Sequence, residues 1–338
     1  MTQKILIIKL GSAGDVLRTT AILSGLKGKY PDSVITWLVY ENGRQLLEGN
    51  TNIDKVISYS IGSVEALSKE NFDVVLSLDK APEGIKLASV IGAKEKYGFG
   101  ADEKGELCPL NKGAEYSYRL GIDDELKFFE NKKTYQELIY EMAALDYKKN
   151  PYELILNNEN VEFADNFFKA NNLDGSQAVI GVNTGSGKAF ANKNLRKEKI
   201  IQLIRLLDKE LGAKVLLLGG PSEKEINNYI MKNAGCGIID GGCENRIKDF
   251  SALVNECSVI IAADTLAMHI AIALKKPVAA LFGPTCSQEI DLYDRGSKVI
   301  TKAKCGPCYK NKCDKKITCM DKIDLNEIVK AVSSIFVS

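Results

Sequence analysis

Ile5-Leu6-Ile7-Ile8 is a short β-branched run, and after the turn Gly11-Ser12-Ala13-Gly14 the apolar positions Val16, Leu17, Ala21, Ile22 and Leu26 recur at helical spacing. A strand, a glycine-rich turn and a helix open a nucleotide-binding type of α/β unit. Buried-strand runs follow at Val34–Val39 and Phe72–Leu78, with helical patterns at Asn42–Glu48, Val64–Lys69 and Pro82–Ile91. Such alternation predicts a parallel sheet covered on both faces. From Gly98 to Lys133 the periodicity gives way to glycine, charged and aromatic residues, which reads as long loops, and Thr134–Leu145 is helical again.

The plan then restarts. Strand Ala178–Val182, glycine-rich Thr184–Gly187, helix Glu198–Leu211, strand Lys214–Leu218 and helix Ser222–Asn233 come first. Strand Gly237–Ile239, helix Lys248–Glu256, strand Val259–Ala262, helix Thr265–Leu274 and strand Val278–Phe282 follow. Beyond an irregular stretch, an amphipathic helix Leu325–Phe336 closes the chain. Two halves of one plan predict an α/β protein of two Rossmann-like, doubly wound domains facing each other across a cleft. The expected boundaries are residues 1–155, 156–322 and a closing helix in 323–338.

A length of 338 residues agrees with two domains at ~150 residues each. Lys and Arg total 45 against 44 Asp and Glu, so the formal charge of +1 provides no global attraction for nucleic acid. The longest apolar stretch, Val259–Leu274, is interrupted by Asp264, Thr265 and His269 and falls short of the ~18 uncharged residues of a membrane span. The first ten residues are apolar too briefly for a signal peptide, and the expected location is the cytoplasm. Nine cysteines are too dilute for a secreted disulfide scaffold.

Gly11-Ser12-Ala13-Gly14-Asp15 puts a carboxylate at the mouth of the first strand-helix turn, where open α/β sheets bind ligands. Asp15 suits a general base; it equally suits the first turn of a helix, where the macrodipole favours an anion. The turn lacks the third glycine of a dinucleotide fingerprint and is no Walker A loop. In the second half, Asn183-Thr184-Gly185-Ser186-Gly187-Lys188, with Lys193 and Arg196 near the next helix, offers N–H groups, hydroxyls and cations. Those groups make either a diphosphate cradle or an ordinary loop with a basic flank. His269, the single histidine, lies one helical turn beyond Thr265, so both can share a helix face; a packed core histidine is the alternative. No Asp-x-Asp pair occurs, which removes the usual metal bridge to a sugar-nucleotide diphosphate.

Taken together, Gly14-Asp15-Val16-Leu17-Arg18-Thr19-Thr20-Ala21-Ile22-Leu23, Asn183–Arg196, Asp264-Thr265-x-x-x-His269 and Phe282-Gly283-Pro284-Thr285 resemble glycosyltransferase family 9, the lipopolysaccharide heptosyltransferases. The resemblance implies a GT-B fold, with donor nucleotide held by the C-terminal domain and acceptor by the N-terminal one. It implies an inverting, metal-independent transfer of heptose from an ADP-heptose-type donor to a lipid A-linked core oligosaccharide. Such an enzyme would have peripheral contact with the inner membrane surface and no nucleic-acid partner. Asp15 would deprotonate the acceptor hydroxyl. Lys193, with Lys188 as the competing register, would hold a phosphate. Thr184, Gly185 and Ser186 would supply loop contacts, and Asp264, Thr265 and His269 would meet the donor's sugar and phosphates. Leu266 stands where the family has glycine, and Asn194-Leu195 where an aromatic often follows.

Cys305, Cys308, Cys313 and Cys319 lie within 15 residues, interleaved with Lys304, Lys310, Lys312, Lys315 and Lys316. Four thiolates so spaced can hold a structural zinc, pair as a labile disulfide or remain free thiols. No cofactor is expected for catalysis itself. The lysines suit anionic headgroups or acceptor phosphates, or simply a solvated face. Two rival functions are a GT-B-fold sugar-nucleotide epimerase and a non-catalytic sugar-nucleotide or metal-binding module.

Overall fold

The computed structural model describes residues 2–173, 177–187, 192–235 and 237–337. It divides into two units, Met1–Ile155 and Leu156–Ser338.

In the first unit the elements are β1 (Lys4–Ile8), α1 (Ala13–Thr19), α2 (Ile22–Lys29), β2 (Val34–Val39), α3 (Glu41–Leu47), β3 (Lys55–Ser58), α4 (Ile61–Ser68), β4 (Asn71–Ser77), α5 (Pro82–Val90), β5 (Gly92–Ala101), β6 (Leu107–Pro109), α6 (Lys112–Arg119) and α7 (Tyr135–Met142). The strand order is β3-β2-β1-β4-β5-β6, parallel except for the antiparallel β5-β6 pair. Apolar residues on both faces of β1 explain its central place. Ile5 and Ile7 join a core with Trp37, Leu76, Ile139 and Tyr140, while Leu6 and Ile8 join another with Leu38, Val75 and Leu87.

The helix expected from Val16 to Leu26 is instead two. Thr20 turns its hydroxyl to Leu17 O (2.6 Å) and accepts Glu153 N–H (2.7 Å), while Tyr140 Oη donates to Ala21 O (2.7 Å). Side-chain bonding to main-chain carbonyls here competes with the helical ladder. Gly25 gives the Tyr140 ring its space, since a Cβ there would lie 2.6 Å from the ring.

The long loops expected between Gly98 and Lys133 prove to hold the end of β5, β6, α6 and a π-helical turn at Leu126–Glu130. Their polarity has a physical source. β5 is only partly buried, and Gly98 occupies a strand position where a Cβ would come 2.1 Å from Ser77 O. α6 buries only the small side chains Ala114 and Ser117, so no run of large apolar residues marks it.

The second unit runs α8 (Asn158–Ala170), β7 (Val179–Asn183), α9 (Lys197–Leu211), β8 (Lys214–Leu218), α10 (Lys224–Asn233), β9 (Ile238–Asp240), α11 (Ile247–Glu256), β10 (Val259–Ala263), α12 (Leu266–Ala273), β11 (Val278–Phe282), β12 (Gly296–Ile300) and α13 (Leu325–Val337). Its strand order, β12-β11-β10-β7-β8-β9, is all parallel. α8 and β12 are additions to the sequence reading. Asn157 caps α8, and Asn160 on that helix donates to Asp249 Oδ1 (2.9 Å), a buried polar bond without a hydrophobic signature. α13 buries Ile328, Val329 and Val332 in the core of this unit with Ile200, Leu203 and Ile204 of α9. Both sheets therefore reverse strand order beside their first strand, and the loops at those carboxyl ends are where open α/β sheets bind ligands. Among the described residues, no helix is long and apolar enough to cross a membrane.

Candidate active site

At the carboxyl end of β1 the chain leaves the sheet through Lys9 and Leu10. Lys9 is buried, donates to Leu78 O (2.8 Å) and lies 3.8 Å from Asp79 Oδ2. Burial pulls its ammonium down, but Tyr135, Asp15 and Asp79 outweigh that and the opposing Arg18, leaving it above the ordinary lysine value. Asp79 is fixed by Leu10 N–H (2.6 Å) and Ala81 N–H (2.8 Å).

Asp15 falls in the first turn of α1. Ser12 caps that helix, accepting from Asp15 N–H (3.3 Å) and donating from its hydroxyl to Asp15 Oδ2 (2.9 Å). Arg18 pairs with Asp15 Oδ1 at 2.7 Å. The Arg18 guanidinium also lies over the Tyr135 ring, 3.8 Å from its centroid, and Tyr135 Oη meets Thr19 Oγ1 at 2.6 Å. The Asp15 side chain keeps 33% of its surface open, so the carboxylate is oriented yet reachable. Gly11 runs between the two acids: a Cβ there would lie 3.4 Å from both Asp15 Oδ2 and Asp79 Oδ2. Both readings of Asp15 thus coexist, since a capped helix start is also what aims the carboxylate.

In the second unit, β7 ends at Asn183, whose amide donates to Gly185 O (2.6 Å) and Thr265 Oγ1 (3.3 Å). This ties the loop after β7 to the loop after β10. Thr184 is turned inward: its N–H goes to Leu218 O (3.1 Å) and its hydroxyl to Asn227 Oδ1 (2.6 Å). Its hydroxyl therefore braces the loop from behind. Gly185 backs onto buried Glu223, where a Cβ would overlap the carboxylate at 2.1 Å. Ser186 is half-buried beside it.

Asp264 holds the centre of the rest. Lys193 Nζ donates to Asp264 O (3.0 Å) and Oδ2 (3.1 Å), and His269 Nε2 lies 3.7 Å from Asp264 Oδ1. Thr265 occupies the N-cap of α12, and His269 N–H donates back to Thr265 O (3.2 Å). Lys193, Asp264, Thr265 and His269, separated by up to 76 positions in the chain, are thus brought together. Lys188 lies outside the described residues. An ammonium, a helix N-terminus and a set of hydroxyls in one place suit a diphosphate.

The loop of Cys305, Cys308, Cys313 and Cys319 leans on this region. Tyr309 is half-buried, and desolvation of its hydroxyl, then Glu289, Cys286 and Asp264, push that hydroxyl above the usual tyrosine range. Burial raises the Cys319 thiol, as do Cys308, Cys305 and Cys313 nearby. All four thiols are free, and among the described residues no three His, Cys, Asp or Glu side chains converge to ligate a metal. The donor set has the chemistry for zinc without the geometry.

Lys9, Asp79, Tyr135, Glu223, Asn227 and Tyr309 went unmarked in the sequence reading. Lys9, a charge directly after four apolar strand residues, was the one visible signal; Tyr135 stands 120 residues from Asp15 and could be found only in three dimensions.

The family model for glycosyltransferase family 9 (heptosyltransferase) matches residues 63–318. The chain belongs to glycosyltransferase family 9. It is a glycosyltransferase, and Asp15 precedes the matched span. Lipopolysaccharide heptosyltransferase 1 of Campylobacter coli is 22% identical over 359 aligned positions, covering 99% of each chain. Among solved structures, a glycosyl transferase family 9 protein from Veillonella parvula superposes with a TM-score of 0.79 at 20% identity, covering 99% of this chain and 97% of that one. The E. coli ADP-heptose lps heptosyltransferase II gives 0.68 at 18% identity, covering 99% and 98%. The fold of this family 9 enzyme is GT-B.

Proposed function

We propose that this family 9 enzyme transfers a heptose from ADP-heptose to a lipid A-linked lipopolysaccharide core acceptor, with inversion and without a metal. The observation that carries the reading is the Asp264 cluster, where Lys193 and the N-terminus of α12 supply the positive side that an ADP leaving group requires and His269 adds an imidazole beside them. The curated and solved relatives, named for ADP-heptose and lipopolysaccharide, supply the sugar. Gly185, Ser186, Lys193, Asp264, Thr265 and His269 hold the donor, with Thr184 bracing their loop. Asp15 takes the proton of the acceptor hydroxyl as its oxygen bonds to the anomeric carbon. The bond from that carbon to the β-phosphate oxygen breaks, and ADP leaves with the electron pair. The lipid-linked acceptor puts the enzyme in the cytoplasm, in peripheral contact with the inner membrane.

The test is a melting and calorimetric screen against ADP, UDP, GDP and ADP-heptose, with and without EDTA, since a ligand of the native state raises the melting point. Selective stabilisation by ADP and ADP-heptose, indifferent to EDTA, is expected. Preference for UDP or GDP would overturn the heptose donor.

A further inference from the structure

β11 runs parallel beside β10, so the turn Gly283-Pro284-Thr285-Cys286 leaves the sheet at the same edge as Asp264. Thr285 is only 4% exposed, and its hydroxyl has no hydrogen-bond partner among the described residues. A buried hydroxyl without a partner destabilises the free protein, and such groups persist where something outside the chain takes the bond.

The turn is moulded by residues far along the chain. Cys308 N–H and Tyr309 N–H both donate to Pro284 O (3.0 and 2.9 Å). Tyr309 Oη accepts from Cys286 N–H (3.2 Å) and donates to Glu289 Oε1 (3.4 Å). Its own backbone lies at φ 50°, in the left-handed region that favours glycine, and it holds there because these bonds over-determine it. Behind the turn, a Cβ on Gly306 would come 2.5 Å from Gly283 O, and one on Gly283 would meet Met320 Sδ at 2.5 Å. Asn192, next to Lys193, donates to Lys310 O in the same segment. The cysteine loop therefore grips the Thr285 turn on one side and the Lys193 segment on the other.

We infer that Thr285 is a further donor-binding residue, its hydroxyl donating to a diphosphate oxygen of the nucleotide sugar, and that Tyr309 is the positioning residue that holds its turn. The inference rests on the reading of the second unit as the donor domain. It gives the cysteine loop a task that needs no metal: fixing one hydroxyl relative to Asp264 and Lys193.

Calorimetric titration of the full-length protein with ADP, alongside its melting temperature, tests this. Thr285→Val keeps the shape and deletes the hydroxyl. It is expected to melt at or above the wild type when unliganded, yet to bind ADP about tenfold more weakly. Thr285→Ser restores binding to within about threefold, and Tyr309→Phe weakens it in the same direction by less. Opposite signs in stability and affinity are what a merely structural threonine does not produce. Wild-type affinity in Thr285→Val, or a fall in melting temperature with affinity, overturns the inference. If the wild type binds none of ADP, UDP and GDP, the donor-domain reading falls and takes this inference with it.

Discussion

At the carboxyl end of β1 the side chains that gather are long and charged: Lys9, Asp15, Arg18 and Asp79, with Tyr135 among them. At the carboxyl end of β7 they are short, Asn183, Thr184 and Gly185, and the charges arrive from Asp264 after β10 and from Lys193 before α9. The scaffold is the same strand, glycine turn and helix in both units. In the first, every cation is engaged with an acid or an aromatic ring, so the carboxylate of Asp15 is aimed and stays chemically available at its open side. In the second, glycine lets the backbone come close, and the Lys193 ammonium bonds the carbonyl and carboxylate of Asp264 at the N-terminal end of α12. On the proposed function, this contrast in side-chain length and packing is what would separate a base from an anion cradle.

The sharpest break of this contrast is Asp15→Asn. It keeps size and cap while removing the base, so turnover should fall about 10²–10⁴-fold with ADP affinity unchanged. Unaltered kcat would reduce Asp15 to a helix-start residue. Next is Lys9→Met, which leaves Asp79 and Leu78 O without their cation. Breaking a buried pair typically removes 3–5 kcal/mol, and because Asp79 keeps two amide donors the loss should be about 3 kcal/mol by chemical denaturation. Since the Lys9 ammonium is held above its ordinary value, its contribution is fully present at neutral pH and disappears only as pH rises through that raised value. The gap between wild type and Lys9→Met should therefore be flat from about pH 6 to 9. A gap that closes within that range would show that the ammonium is not the stabilising form. Lys193→Ala addresses the second unit: the KM for donor and the Kd for ADP should rise about 10–100-fold through loss of a charge-assisted bond, with stability little changed.

Much of this was legible in the sequence because burial on both faces of a parallel sheet writes long apolar runs. β2, β8 and β11 match their predicted bounds. What escaped did so for local reasons. β5 is only partly buried and α6 buries only small side chains, while α8 adds the buried Asn160–Asp249 bond to its contacts through Ala164 and Phe168. The break between α1 and α2 depends on Tyr140, over a hundred residues away. The site divides the same way. Asp15, Lys193, Asp264, Thr265 and His269 sit in motifs at strand ends, whereas Lys9, Tyr135 and Tyr309 acquire meaning only from partners distant in sequence. Thr184 belonged to a motif, but its neighbour Asn227 turned its hydroxyl inward.

The smallest expected effect concerns the cysteine loop, a feature of the second unit alone. Cys305 is exposed, with the Lys315 ammonium near its thiol, while Cys319 is buried against Gly283. Among the described residues no three of these side chains converge on a metal position, and the loop has its own hold on the fold through Pro284, Cys286 and Asn192. Protein purified under reducing conditions should therefore contain well under one zinc per chain by elemental analysis, and EDTA should leave its melting temperature unchanged. Stoichiometric zinc with a large fall in melting temperature on chelation would mean that the loop closes around a metal, since structural zinc contributes directly to folding. The grip on the Thr285 turn would then depend on that metal, and donor affinity should fall in step with its removal.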